Sequence, residues 1–172
     1  QAGLGKSLGF LVGALVLGTA FPHLLKTITA SFPWEYVIYA TSLLAVIGGL
    51  MIFLLVPDGP FRKAGQQLKL NSFLDGFKNT PFRSAAFGYF GHMWELYTFW
   101  AFLPNIFLVY NANHPNSSIN IPLFTFLIIA SGGLSCMLGG VLSQRFGAKN
   151  VATAALLLSG LCCLCSPLFL YA

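Results

Sequence analysis

Charged positions are so sparse along this chain that the gaps between them define its elements. Nineteen uncharged residues separate Lys6 from Lys26, 22 separate Glu35 from Asp58, 49 separate Glu95 from Arg145, and 23 follow Lys149. A helix that crosses a bilayer needs about 20 mostly apolar residues. The longest gap is interrupted by Asn111-Ala-Asn-His-Pro-Asn-Ser-Ser-Ile-Asn120, a polar stretch that no lipid-facing helix would hold. The pattern therefore predicts five spans, near Ser7–Thr29, Tyr36–Val56, Ser84–Tyr110, Ile121–Leu142 and Val151–Tyr171.

Proline supports this division. Pro33, Pro57, Pro60, Pro81, Pro115 and Pro122 fall at or beside proposed ends, where a missing N–H is harmless. Thr80-Pro81 reads as a helix cap followed by proline at the first helical position. Pro22, Pro104 and Pro167 lie inside spans, where each should free a carbonyl four residues back and kink its helix. The 57–80 segment is the only sizeable linker. Leu70, Phe73, Leu74 and Phe77 recur in it at helical spacing, which fits a short amphipathic helix on a membrane face and equally one packed on its neighbours.

Composition sharpens the picture. Apolar residues make up 56% of the 172 and charged residues 8%, too few to cover a soluble surface. That excludes a cytosolic enzyme, a nucleic-acid binder and a disordered tail. The net charge of +5 is concentrated where the positive-inside rule would use it. Arg62, Lys63, Lys69, Lys78 and Arg83 outnumber Asp58 and Asp75 in one loop, and Arg145 and Lys149 mark another, whereas 111–120 carries no formal charge. The expected topology therefore puts 57–80 and 143–149 in the cytoplasm and 111–120 outside, with the chain start inside and its end outside. Lys26 is the one dissenting charge, and its long stem allows it to snorkel. In a background lacking native cysteines, impermeant thiol reagents should label Ser117→Cys, but not Ser72→Cys, in intact cells. The reverse labelling would overturn the orientation.

The turn after the fourth span reads Gly140-Val-Leu-Ser-Gln-Arg-Phe-Gly-Ala-Lys149. It resembles the cytoplasmic loop motif of the major facilitator superfamily, G-x-L-[A/S]-D-R-x-G-R-[R/K]. Gly140, Leu142, Ser143, Arg145, Gly147 and Lys149 match, while Gln144 replaces the acid and Ala148 a basic residue. Such departures are common in the second copy of the motif, after the eighth of twelve helices. Counting back, the five spans resemble helices five to nine. The resemblance implies an all-α, polytopic helical membrane protein with five transmembrane helices of a major-facilitator-type bundle. Residues 1–56 would be the last two helices of the N-terminal half, 57–80 the central cytoplasmic loop, and 81–172 the first three helices of the C-terminal half. It also implies that the remaining helices of the same transporter, one to four and ten to twelve, lie outside this sequence. Locally, Gly140 and Gly147 permit close helix approach and a tight turn. Arg145 and Lys149 can pair with acids or helix C-termini.

Glu95 is the outstanding candidate for chemistry. It lies fourteen residues after Pro81, about 21 Å along a helix and so near mid-membrane, where carboxylates tend to be functional. His92 shares its face, Phe99 and Phe102 continue that face, and Gly88 and Gly91 leave room for close neighbours. Tyr97 is a third candidate for a cavity, although lipid or core packing accounts for it, Trp94 and Trp100 equally. These residues fit a proton-coupling or substrate-orienting site, or else a structural acid with its partner on another helix. Gly91-His-Met-Trp-Glu-Leu-Tyr97 also looks like a stretch of nitrate- or cyanate-permease-like members, a clue to a small anion. Pro104 is a hinge candidate, with Asn105 as a polar partner nearby, and family resemblance puts this outer third at the extracellular gate.

Small residues recur at Gly9, Gly13 and Gly18, and at Gly132, Cys136 and Gly140, as close helix packing requires. The first span lacks the Gly-Pro pair of proton-linked drug antiporters. Cys162, Cys163 and Cys165 share an apolar run without a second ligand pair, so they read as packing residues, with no metal and no cofactor. Gly5-Lys6-Ser7 and Gly5-Lys-Ser-Leu-Gly9 match phosphate-loop and nucleophile-elbow patterns, but a membrane span follows where a soluble α/β context is required. Asn116-Ser-Ser118 is a sequon that bacterial origin would make a coincidence.

The expected activity is secondary transport of a small polar solute, with a small anion as one candidate, by alternating access in a bacterial inner (plasma) membrane. The expected partners are the lipid bilayer and a small-molecule or ion substrate, with no nucleic acid. A membrane-embedded enzyme and a non-transporting scaffold are the rivals. An enzyme should show several convergent groups at one depth, and only the Glu95–His92 pair is offered, so no enzymatic activity is expected.

Overall fold

The computed structural model describes residues 3–57, 71–115 and 118–170. Six helices follow in order: α1 (Leu4–Ile28), α2 (Glu35–Leu55), α3 (Asn71–Lys78), α4 (Thr80–Asn113), α5 (Ile121–Phe146) and α6 (Ala148–Leu170). No strand occurs among the described residues. The protein is all-helical, and α1, α2, α5 and α6 are long and apolar enough to cross a membrane. The fifth expected span is α4. It is the longest helix but is not among these four, because Arg83, His92, Glu95, Asn105 and Asn111 interrupt its apolar run. The described residues thus hold four candidate spans where charge spacing predicts five. Arg62, Lys63, Lys69 and Leu70 of the linker, and Asn116 and Ser117 of the sequon, lie outside the described residues.

The chain forms two compact units, Gln1–Val37 with Trp100–Ala172, and Ile38–Phe99. In the first unit α1 packs along α5, and α6 packs on α5 at the other side of the Gly147 turn. The core joins Val16 and Ala20 of α1, Leu103 of α4 and Ile129 of α5, with Trp100, Phe107 and Phe126 packed against them. Thr125 is the one fully buried polar residue among the described residues, and its hydroxyl donates to the Ile121 carbonyl at 2.7 Å. The same device satisfies Thr19, Ser131, Ser135 and Ser166, whose hydroxyls donate to carbonyls three or four residues back. Helical hydroxyls can therefore sit in apolar surroundings without an unpaired donor.

Backbone-to-backbone contact holds α1 on α5. A Cβ on Gly9 would lie 2.8 Å from the Cys136 carbonyl oxygen and 2.9 Å from Gly140 Cα. One on Gly13 would lie 2.8 Å from the Gly133 carbonyl oxygen, and one on Gly5 would lie 2.8 Å from Ser143 Oγ. Two adjustments to the expected stripe follow. Gly133 joins it and sits closest to the seam, its Cβ position 3.0 Å from the Gly13 carbonyl oxygen, whereas a Cβ on Gly132 would meet only the Val16 side chain, at 3.6 Å. Gly18 faces open space, since five residues from Gly13 turn it about 140° off the seam.

The 111–120 loop is closed by an amide bridge. Asn111 Nδ2 donates to the Ile119 carbonyl at 3.0 Å, and the Ile119 N–H donates back to Asn111 Oδ1 at 3.1 Å. Asn120 then caps α5 by accepting from the Leu123 N–H at 3.1 Å. Asn111 and Asn120, the two ends of the polar run that marked a loop in sequence, therefore serve as backbone partners. Ring contact between Phe107 and Phe124, centroids 6.1 Å apart, fixes the same end.

In the second unit Phe77 of α3 meets Phe82 and Phe87 of α4 edge-on, at 5.5 and 6.1 Å between centroids. Of the two readings of the linker helix, packing on a neighbour is realised at Phe77. The cap of α4 differs by one residue from expectation. Asn79 Oδ1 accepts from the Phe82 N–H at 3.3 Å, and Thr80 already belongs to the helix. An amide oxygen at this position outcompetes the β-branched hydroxyl of Thr80 as a cap. No residue of α2 is buried, as expected of a helix whose solvent is lipid.

Candidate functional site

The α4 helix rises from the Asn79 cap, which fixes where its turns begin. It then continues without interruption through Pro104 to Asn113. Its 34 residues span roughly 50 Å at 1.5 Å per residue, and Glu95 lies about 22 Å from its start. The acid is therefore central along the helix, as expected. His92 stands one turn earlier on the same side. Both side chains are half-buried, and His92 Nδ1 is shielded from solvent without a hydrogen-bond partner among the described residues.

Tyr97 is not brought to this face. Two residues beyond Glu95 it is turned about 160° from the carboxylate, by helix geometry alone. It is 61% exposed and lines a shallow depression on the α4 surface with Phe90, Met93, Trp94 and Thr98. Trp94 is 80% exposed there. Glu95 and His92 thus share one face of α4, and Tyr97 belongs to an aromatic surface. A Cβ on Gly88 or Gly91 would meet nothing within 4 Å, so the Glu95 side of the helix is open at those positions.

The loop residues form a separate constellation in the other unit. Gly147 takes φ +83°, a left-handed value that a side chain would disfavour, and its N–H bonds to the Ser143 carbonyl at 3.0 Å. This is the tight turn the sequence requires. Gly140 is the close approach, with the Gly5 carbonyl oxygen 2.6 Å from where its Cβ would stand. Ser143 is absorbed locally, donating to the Gly140 carbonyl at 2.8 Å. Arg145 lies in the last turn of α5, where a cation complements the helix dipole, and stacks over the Phe146 ring at 5.4 Å. Leu142 and Lys149 are exposed.

Sequence reasoning passed over Gly5, Gly133 and Asn111. Gly5 had a findable signal, since it extends the Gly9–Gly13 step by one more i+4 interval. Among the described residues no group of three or more His, Cys, Asp or Glu could hold a metal. Cys136 packs against the core, whereas Cys162, Cys163 and Cys165 point outward from α6. No protein-family model, curated protein or solved structure matches this chain.

Proposed function

We propose that the chain is part of a secondary transporter of the major-facilitator type, which moves a small polar solute, with small anions the first class to try, by alternating access. The observation that carries this reading is the α1–α5 seam. It joins a helix before the linker to one after it, through glycines and carbonyls from Gly5 to Gly13 and through side chains only farther along, at Val16, Ala20 and Ile129. A smooth contact of that kind lets two helix groups rock against each other, as alternating access requires. Glu95 at mid-helix would be the coupling carboxylate, with His92 one turn away and Pro104 as the hinge of the outer third. Under this reading α4 is a fifth span, whose polar residues face protein or a water-filled path.

The test is solute flux. Full-length protein in liposomes carrying an imposed pH gradient should accelerate entry of small inorganic anions or short carboxylates over protein-free liposomes. Correctly inserted protein that moves none of a broad panel of small polar solutes would leave the scaffold reading instead.

A further inference from the structure

Between α5 and α6 runs an open groove of about 570 Å³. Leu138, Leu142 and Phe146 form one wall, and Val151, Ala155 and Leu158 the other. Gly139 also lines it, and a Cβ there would meet nothing within 4 Å. From Ser135 to Phe146 it follows α5 for roughly 16 Å at 1.5 Å per residue. That is about half of a 30 Å hydrocarbon core, the depth of one leaflet.

The end of the groove is positive. Arg145 stands beside Phe146 with its guanidinium held over that ring, and Lys149 precedes Asn150, another lining residue. No ion pair among the described residues involves either cation, and no Asp or Glu follows Glu95 in the sequence. The first turn of α6 opens at the same end without an acidic residue, and its N-terminal amides offset the C-terminal carbonyls of α5, so the two side chains set the sign of the potential there. An apolar slot of leaflet depth, ending in cations without an ion-pair partner among the described residues, is complementary to one class of molecule.

We infer that the α5–α6 groove holds an acyl chain of an anionic phospholipid, whose phosphate is bound by Arg145 with Lys149 adding to the local field. Basic pockets between membrane helices recognise such headgroups in this way. The assignment rests on α5 and α6 being membrane spans with this face turned to lipid, and is independent of any transported solute.

Retained lipid, counted by native mass spectrometry, tests it. Full-length protein is purified from vesicles of equal parts phosphatidylglycerol and phosphatidylcholine. The wild type should keep phosphatidylglycerol in preference to phosphatidylcholine. Arg145→Gln should lower phosphatidylglycerol retention about fivefold, the effect of one basic residue at an anionic surface, and leave phosphatidylcholine unchanged. Gly139→Leu fills the slot and should lower retention of both lipids. If that variant fails to fold, the exposed Arg145→Gln substitution decides alone. Equal retention of the two lipids by wild type, or unchanged phosphatidylglycerol on Arg145→Gln, overturns the proposal. A protein that transports solute yet keeps no lipid would sink this site and spare the transport reading.

Discussion

Gly140→Leu should separate α1 from α5, and Gly139→Leu, one residue away, should not. A Cβ at position 140 would stand 2.6 Å from the Gly5 carbonyl oxygen and 2.9 Å from Gly9 Cα. Both obstacles are backbone, which cannot swing aside as a side chain would. Overpacking of this kind costs about 3 kcal/mol or more. The melting temperature in detergent should fall by roughly 6–12 °C for a chain of this size. At Gly139 a Cβ meets open space, so the same bulk should leave the melting temperature nearly unchanged. Equal melting of the two variants would show that the seam contributes nothing to stability.

Glu95→Gln should abolish solute accumulation driven by a pH gradient while leaving solute exchange in place. The amide keeps the size of the carboxyl group and its hydrogen-bonding reach but cannot take up and release a proton. A loss of at least about tenfold in accumulation is expected if the carboxylate cycles its charge at mid-helix. His92→Gln on the same face separates the two roles: a pure packing histidine would leave the pH dependence of transport where it was. Accumulation at the wild-type level by a correctly inserted Glu95→Gln protein would remove the acid from coupling.

The helices were legible because charge is the one thing a span excludes. The gaps after Lys6, Glu35 and Lys149 place α1, α2 and α6 within a few residues of their described ends, and the polar run from Asn111 ends α4 at Asn113, three residues later than Tyr110. Their contacts were less legible. Spacing by four selected Gly132, Cys136 and Gly140, which do meet α1, but missed Gly133, which meets the Gly13 backbone more closely than Gly132 meets Val16. The crossing of two helices, which one sequence does not contain, decides which small residues meet. The cap of α4 slipped from Thr80 to Asn79 for a more local reason, two adjacent residues that are both good caps. For the candidate site, helix geometry alone separates Tyr97 from Glu95. Nothing in the spacing of apolar residues shows which side of α4 turns toward protein, since aromatic residues surround the whole helix.

The glycine seam also constrains how the chain is made. Gly13 and its partner Gly133 are 120 residues apart in sequence. At about 5–20 residues per second, ribosomes need roughly 6–24 s to deliver α5 after α1 has entered the bilayer. During that interval the backbone ridge of α1 faces lipid tails. The wait is cheap, since lipid is as apolar as the eventual partner and no hydrophobic force hurries the docking. It is also hazardous, because the same bare ridge accepts any other small-residue helix inserted nearby. Slowing translation between Lys78 and Ile121 should therefore increase mispaired, protease-sensitive chains, and supplying α5 early on a separate polypeptide should rescue them.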